Sequence, residues 1–240
     1  MNKWFGVILM ALTAVMCYLH LSDMNNNEIT KKASAVYDEK IIAITFDDGP
    51  GYNSTRRLLD GLKERNVVAS FFIVGENAEN NKELIKRMYN EGHLICNHTY
   101  THIDLSKIDK KQALKEITET NALIESITGE KPSYIRPPGG AWDEKMFFEV
   151  DMTPVFWTVD PCDWKRTDVE GIVNDVVNSV SDGSIILLHD IHSETVDAAE
   201  MLIPKLQEAG YQLVTVSEMA EARGITLESG VKYGRLSKQQ

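Results

Sequence analysis

Short apolar runs that alternate with amphipathic segments constrain the fold of this chain more than any other feature. The runs are rich in β-branched and aromatic residues, which favour strands. Several are apolar on both faces, and this pattern is typical of strands buried in a parallel sheet. The predicted strands are residues 41–46, 68–74, 93–97, 134–137, 154–159, 184–188 and 212–216.

The segments between these runs have the spacing of amphipathic helices. The longest of them has Asp109 where an N-cap is expected and Gly129 just beyond its last apolar residue. Strands and helices that alternate at this pitch predict parallel β/α units, in a doubly wound sheet or a barrel. We therefore expect one α/β domain over residues 40–224. The predicted helices are residues 54–65, 77–90, 109–127, 168–180 and 194–209.

The N-terminus has a different composition from the rest. Trp4–Leu19 carries no charge and follows Lys3, so residues 1–22 are interpreted as a signal peptide or an N-terminal membrane anchor, with retention favoured over cleavage. With Lys3 on the inner side, the domain would be exported to the extracellular face of the membrane. The polar residues 23–39 are predicted to form a linker, and residues 225–240 a C-terminal tail.

Composition narrows the possible partners. A chain that is 43% hydrophobic and 25% charged is typical of a globular protein. The formal net charge of −11 repels phosphate backbones, so we expect no nucleic-acid partner. Cys96 and Cys162 could form a disulfide in an oxidising compartment, but two small buried thiols are favoured. Neither cysteine has the C-x-x-C spacing of a zinc ribbon.

Polar clusters follow five of the predicted strands. Each has an ordinary explanation by itself, such as an acidic turn or a helix cap. However, the carboxyl ends of parallel strands share one edge of the sheet, where active sites of β/α folds lie. We therefore expect the clusters to converge. Their sequences are "TFDDGP", "NHTYTH", "RPPGG", "DPCDW" and "LLHD".

The first two clusters contain the residue types of a metal site. His98 and His102 are four residues apart, a weak signal alone, and Asp48 would add one carboxylate. Three protein ligands leave a coordination position open for water, as catalytic zinc sites do. The same ligand set also fits a non-haem iron oxygenase.

The clusters also supply acid–base groups that an oxygenase does not need. Asp47 could take a proton from water, and Arg136 could hold that carboxylate ionised and aimed. His189 could protonate a leaving group if Asp163 keeps it charged. Together, these roles favour metal-assisted hydrolysis of an amide or an ester.

The five motifs, in this order, resemble the polysaccharide deacetylases of carbohydrate esterase family 4, which share the NodB homology domain. The resemblance covers about Lys40–Ala222. It implies a distorted, incomplete (β/α) barrel that removes N-acetyl groups from amino-sugar polymers with one divalent metal, usually Zn²⁺, although Co²⁺ or another divalent ion can serve.

The resemblance also implies a role for each matching residue. Asp47 matches the base, His189 the acid, Arg136 the residue that orients the base, and Asp163 the carboxylate that tunes the acid. The matched metal ligands are Asp48, His98 and His102.

Trp164 and Leu187 match positions that form walls of the acetate pocket. Many members carry an aromatic residue where this chain has Gly139, whose backbone N–H would donate to the oxyanion. The residue departs from the family pattern but retains that N–H, so catalysis should survive, whereas the side wall of the groove would change. The segment 142–154 also looks short for a helix and a return loop, which predicts a more open groove.

The expected substrate is a glycan polymer, most simply peptidoglycan N-acetylglucosamine. An acetylxylan esterase or a chitooligosaccharide deacetylase would use the same residues, and a glycan-binding relative without catalysis is a further alternative. The expected partners are the glycan and, through residues 1–22, a membrane.

Overall fold

The computed structural model describes residues 40–141 and 150–237. The predicted leader (1–22), the predicted linker (23–39) and most of the segment predicted to be short (142–149) lie outside the described residues. Within the described ranges, none of the helices combines the length and apolar character needed to cross a membrane.

Within residues 40–141 and 150–237, seven parallel strands form one sheet. The order is β5-β4-β3-β2-β1-β6, and β7 pairs with the first residues of β1 while β6 pairs with the rest of that strand. The sheet curls into a half-barrel, so the predicted incomplete barrel is confirmed. The strands are β1 (Lys40–Asp47), β2 (Ser70–Ile73), β3 (Leu94–Asn97), β4 (Tyr134–Ile135), β5 (Thr153–Pro154), β6 (Ile185–His189) and β7 (Tyr211–Leu213).

Helices pack around this sheet. The predicted helix 77–90 is two helices in the structure, because the chain leaves helical geometry at Asn81, whose φ and ψ are −136° and 36°. The last helix was not predicted, although Thr215 and Glu218 form a capping box at its start. The helices are α1 (Tyr52–Glu64), α2 (Gly75–Glu79), α3 (Lys82–Asn90), α4 (Lys110–Thr128), α5 (Val169–Ser179), α6 (Ser193–Glu208) and α7 (Val216–Arg223).

Strands β4 and β5 are shorter than the predicted runs 134–137 and 154–159. Only two residues of each form ladder pairs. Beyond them, the carbonyl groups of Val155 and Phe156 accept hydrogen bonds from the buried Arg136 side chain instead of continuing the sheet. The strands therefore end where the sheet gives way to the site.

The core lies on both faces of the central strands. Residues 41–47 of β1 are all buried, and helices α1 and α6 contribute apolar faces to the same cluster. This burial fixes the carboxyl ends of β1 and β6, where Asp47 and His189 occupy paired positions. Representative members of the cluster are Ile42, Ile44, Phe46, Leu58, Leu62, Ile186, Leu188, Ala199 and Leu202.

Residues 225–237, predicted as a tail, contact the sheet. The carbonyl of Tyr233 accepts the N–H of Phe156 at 2.7 Å, and the N–H of Leu236 donates to Gly183 at 3.0 Å. The Leu236 side chain is buried. The boundary at residue 224 stays a prediction, but the chain beyond it packs on the domain.

Both cysteines of the described domain are free thiols. Cys96 is buried and Cys162 is partly buried. The structure therefore agrees with two thiols in preference to a disulfide.

Candidate active site

A cleft of about 570 Å³ opens at the carboxyl ends of the strands. Eight of the ten residues singled out from sequence line it, and the other two, Arg136 and Asp163, lie buried behind the lining. The five polar clusters therefore converge as expected from parallel strands. The cleft is lined by Asp47, Asp48, His98, His102, Pro137, Gly139, Trp157, Asp160, Trp164, Leu187, His189 and His192.

The three predicted metal ligands meet at one side of the cleft. Oδ1 of Asp48 lies 3.3 Å from Nε2 of His98 and 3.1 Å from Nε2 of His102. One ligand atom from each residue lies within 4.8 Å of the other two. Oδ1 of Asp48 is buried and has no hydrogen bond of good geometry in the described structure. Three electron-rich atoms that converge in this way fit a divalent cation.

The orientation of His98 supports this interpretation. Its Nδ1 lies 2.6 Å from the carbonyl oxygen of Arg136, so Nδ1 carries the proton and donates it there. The Nε2 lone pair is then directed at Asp48. Metal-binding histidines usually have such a second contact, because it fixes the tautomer and the ring orientation.

The loop that carries both histidines is held by hydrogen bonds rather than by a helix. The carboxylate of Glu116 on α4 accepts the backbone N–H of Tyr100 at 2.9 Å and of Thr101 at 2.7 Å. Asn97 at the end of β3 accepts the N–H of Thr99 at 2.8 Å. The four-residue spacing of the histidines therefore spans a tight loop.

Backbone strain is concentrated at the metal cluster. Asp48, Thr99 and His102 have φ angles of 72°, 67° and 60°, in the left-handed region that non-glycine residues rarely adopt. Such residues cost about 1–3 kcal/mol each and persist only where their surroundings fix them. The carbonyl of Asp48 accepts a hydrogen bond from the Asn77 side chain at 2.7 Å, which holds this conformation.

The ionisation of the cluster suits a cation. Burial raises the pKa of Asp48, but the interactions with His102 and His98 outweigh it, and the net shift is downward. The contact with Asp48 raises the pKa of His102 despite its partial burial. Asp48 is therefore ionised in this site, and a bound cation would displace a proton from His102.

Asp47, next to the metal cluster, forms a buried ion pair with Arg136. Oδ1 of Asp47 accepts a hydrogen bond from Nη1 of Arg136 at 2.6 Å, while Oδ2 lies 3.7 Å from Nε2 of His98. Arg136 is fully buried over the ring of Phe72, with its guanidinium carbon 4.0 Å from the ring centroid. The guanidinium also donates to Thr45 Oγ1 at 2.9 Å. One edge of the Asp47 carboxylate is thus fixed, and the other faces the cluster.

His189 and Asp163 form a second ion pair in the same cleft. Nδ1 of His189 lies 2.9 Å from Oδ1 of Asp163, and the backbone N–H of His189 donates to Oδ2 at 2.8 Å. Oδ2 also accepts from Thr195 Oγ1 at 2.7 Å. Burial lowers the pKa of His189, but the contact with Asp163 and the more distant acidic groups outweigh burial. The net effect raises the pKa of His189 from 6.5 to about 9. At neutral pH, His189 is a charged acid whose Nε2 proton is free to be donated.

The predicted substrate-contacting residues all lie on the cleft surface. Trp164 is half exposed, and Leu187 is a buried residue of β6 that forms part of the floor. Gly139 has a φ angle of 62°, and a Cβ built there meets no atom within 4 Å. The space next to the Gly139 backbone is therefore open for a Cβ.

Sequence reasoning missed four residues of the lining. They are Pro137, Trp157, Asp160 and His192, and none of them has a role in the predicted site. The ring of His192 lies 6.5 Å from that of His189. Its position three residues after His189, at the start of α6, was the available signal. Another histidine, His93, is buried in the core away from the cleft.

Comparison with known proteins agrees with this fold. The family model described as polysaccharide deacetylase matches residues 34–153. The peptidoglycan-N-acetylmuramic acid deacetylase PdaC of Bacillus subtilis is 40% identical over 195 residues, which cover 81% of this chain and 42% of that protein. A peptidoglycan-N-acetylglucosamine deacetylase of Bacillus cereus is 39% identical over 193 residues, with 78% and 70% covered.

A solved structure is similar as well. The family 4 acetyl xylan esterase from Clostridium thermocellum, in complex with a cobalt ion, superposes with a TM-score of 0.78 at 35% identity and covers 82% of this chain and 99% of its own. The chain belongs to the polysaccharide deacetylase family. It spans less than half the length of PdaC, the first of these relatives.

Proposed function

We propose that this chain is a metal-dependent N-deacetylase of peptidoglycan that releases acetate. The observation that carries the proposal is the presence, in one cleft, of an Asp-His-His metal cluster, a carboxylate fixed by arginine and a charged histidine. Amide hydrolysis needs these three functions together: an activated water, a base and an acid. The similar peptidoglycan deacetylases support the choice of substrate class.

Each group of the chain has a defined task in this reaction. A divalent cation held by Asp48, His98 and His102 would supply a polarised, acidic water. Asp47 would act as the base that accepts a proton when water attacks the acetamide carbonyl. The N–H of Gly139 donates to the developing oxyanion, and His189 protonates the departing amine.

Arg136 and Asp163 act through their partners. The guanidinium of Arg136 holds Asp47 in one orientation, since it also donates to Thr45 and to two backbone carbonyls. The Asp163 carboxylate fixes His189 through both its ring and its backbone N–H. Both pairs are formed before substrate binds, which is how a site avoids reorganisation during the reaction.

The experiment that tests the proposal is acetate release from purified peptidoglycan. Chelation should abolish release, and addition of Zn²⁺ should restore it, with Co²⁺ as a second cation to compare. Full activity after thorough metal removal would refute the metal-dependent mechanism. Activity that returns only with Fe²⁺ and consumes O₂ would instead favour an oxygenase.

The identity of the deacetylated sugar is a separate part of the proposal. We favour N-acetylglucosamine, although one similar relative acts by name on N-acetylmuramic acid at nearly the same identity. Mass spectrometry of muramidase fragments, before and after incubation with the zinc-loaded protein, would show which of the two sugars has lost an acetyl group.

An acetylxylan esterase is the second candidate, because one similar structure carries that name. An ester is easier to cleave than an amide, so the same residues would serve. Acetate released from acetylxylan, from chitin oligomers and from peptidoglycan, compared as kcat/KM, distinguishes the esterase, the chitooligosaccharide deacetylase and the peptidoglycan enzyme. Glycan binding without acetate release from any of the three would indicate a non-catalytic relative.

The proposal includes export. An enzyme that acts on a cell-wall polymer must reach it, and residues 1–22 have the composition of a signal or an anchor. Fractionation of cells that produce the full chain should place it on the outer face of the membrane or in the medium. Recovery in the cytosol alone would contradict this part.

A further inference from the structure

The fifth motif contains an acidic residue that the proposed reaction does not use. Asp190 follows His189 at the end of β6, and its side chain is fully buried. A buried carboxyl group normally has several hydrogen-bond donors or a cation as partners. Asp190 has neither, because its Oδ1 lacks a hydrogen-bond partner in the described structure.

Two contacts of the Asp190 carboxyl group lead to the turn that follows β1. Oδ2 accepts a hydrogen bond from the hydroxyl of Thr55 on α1, and that hydroxyl accepts the N–H of Gly51 at 2.8 Å. The carboxyl group also presses on Gly49, where an added Cβ would overlap both of its oxygens. Asp190 thus supports the turn directly at Gly49 and, through Thr55, at Gly51.

The opposite side of this turn is held by the region of α2 and α3. The Asn77 side chain donates to the carbonyl of Asp48 at 2.7 Å, and the N–H of Val74 donates to the carbonyl of Gly49 at 3.2 Å. The Asn81 side chain donates to Pro50 at 3.3 Å. The turn is therefore held from two sides, by Asp190 and Thr55 on one side and by residues 74–81 on the other.

Asp48 is the first residue of this clamped turn and the carboxylate of the metal cluster. Its φ angle of 72° is unfavourable for a non-glycine residue and persists only because neighbours impose it. If the support under Gly49 and Gly51 is lost, the turn can relax and carry Oδ1 of Asp48 away from the two histidines.

We propose that Asp190 is a positioning residue that, with Thr55, holds the turn after β1 so that Asp48 presents its carboxylate to the metal. What the turn needs is the shape of the carboxyl group and one acceptor for the Thr55 hydroxyl. Asparagine offers both, whereas alanine offers neither. Groups that orient metal ligands typically change metal affinity by 10- to 100-fold when removed.

The test is zinc affinity, measured with Zn²⁺ alone by competition of the metal-free full chain with a chromophoric chelator. Asp190→Ala should weaken binding by about 10- to 100-fold. Asp190→Asn should stay within about threefold of the wild type, and Thr55→Val should weaken binding by about tenfold, in the lower part of the same range. The matched control is Ser70→Ala, which removes a buried acceptor at the other end of β2 and should leave zinc affinity unchanged.

Turnover separates this role from a purely structural one. At zinc concentrations that saturate each variant, kcat of Asp190→Ala should remain reduced while KM changes little, because substrate contacts are intact. Asp190→Ala with zinc affinity within threefold of the wild type would overturn the proposal, as would an equal loss in Ser70→Ala or in Asp190→Asn. If Asp190→Ala does not fold, unchanged zinc affinity in Thr55→Val overturns it.

The proposal depends on the metal cluster and not on the choice of substrate. A wild-type protein that binds zinc but releases no acetate would refute the deacetylase function and leave these zinc measurements decisive. A wild-type protein that binds no zinc under any condition would refute both.

Discussion

The Asp163 carboxylate binds His189 at two points, the ring Nδ1 at 2.9 Å and the backbone N–H at 2.8 Å. The ring therefore cannot turn without breaking a charge-assisted contact in a buried place. Because Nδ1 is engaged, the proton that His189 donates must come from Nε2. Asp163 therefore fixes the orientation of the His189 ring and the direction in which its Nε2–H points.

The first prediction concerns the pH dependence of turnover. The pKa of His189 is raised to about 9, so the acid is protonated below that pH and loses its proton as the pH rises through it. We expect kcat/KM to fall on the alkaline side near pH 9. In Asp163→Asn, the fall should move to lower pH, and kcat should drop about 10²- to 10⁴-fold, the usual contribution of a positioned acid. The measurement is acetate release against pH.

Thr195→Val is the control for this change. It removes one donor to Oδ2 of Asp163 but leaves the contact with His189, so its pH profile should resemble the wild type. An alkaline limb that stays at the same pH in Asp163→Asn would show that another group supplies the proton.

The second prediction separates the base from the metal ligands. Asp47→Asn keeps the size of the side chain but cannot accept a proton, so acetate release should fall about 10²- to 10⁴-fold. Zinc content should stay at one equivalent, because Asp48 and the two histidines form the cluster. Asp48→Asn is the counterpart and should lose zinc and activity together. An Asp47→Asn protein with wild-type turnover would remove Asp47 from its role.

Much of this site followed from the sequence because each cluster is tied to a strand end. Asp47 and His189 end two apolar runs, and in parallel strands this alone places them on the same edge. The sequence pattern does not show, however, how deeply each side chain is buried. Whether Arg136 would line the cleft or lie behind it depends on carbonyl groups of residues 155 and 156, which leave the sheet to accept its hydrogen bonds.

The residues that sequence reasoning missed depend on loop geometry. Trp157 and His192 reach the cleft because irregular segments pass over its edge, and no hydrophobic period specifies such paths. Asp190 is similar: its contacts are to Gly49 and Thr55, more than a hundred residues earlier. The division of the predicted helix 77–90 was also missed, although residues 79–83 are all polar and interrupt the apolar spacing there.

The third prediction is that Arg136 is a major stabilising residue. Arg136→Met would leave Asp47 buried without its cation, and breaking one side of a buried pair costs about 3–5 kcal/mol. Urea unfolding of the metal-free protein measures this. The control is Arg57→Met, whose partner Asp197 lies 2.7 Å away in a largely exposed pair, and its cost should be below about 1 kcal/mol. Equal stability losses in both variants would contradict the assignment.

The fourth prediction tests whether Gly139 works through its backbone. Gly139→Ala retains the N–H, and its Cβ has open space, so kcat/KM should stay within about threefold of the wild type, whereas loss of an oxyanion donor costs about 10²- to 10³-fold. The positive φ should cost about 1–2 kcal/mol of stability. Gly183→Ala, also at positive φ, would meet the Leu236 carbonyl and should destabilise more. A loss above a hundredfold in Gly139→Ala would show that the alanine displaces the N–H.

The fifth prediction concerns acid stability and His93, which lies away from the cleft. Its Nδ1 accepts the N–H of Ala69 at 3.1 Å, and the ring packs edge-on against Phe71. Burial lowers the pKa of His93 to about 4. Below its unfolded pKa of 6.5, the unfolded chain binds a proton that the folded protein excludes, so stability falls as the pH drops from 6.5 toward 4.

At pH 5 this loss should reach about 2 kcal/mol relative to neutral pH, from 1.36 kcal/mol per pH unit. His93→Asn offers Ala69 an acceptor that does not titrate, so its overall stability will be lower but its stability should fall less steeply between pH 7 and pH 5. Urea unfolding of the metal-free wild type and variant at both pH values measures the difference. Parallel losses in the two proteins would mean that other groups, such as the paired carboxylates of the cleft, govern acid unfolding.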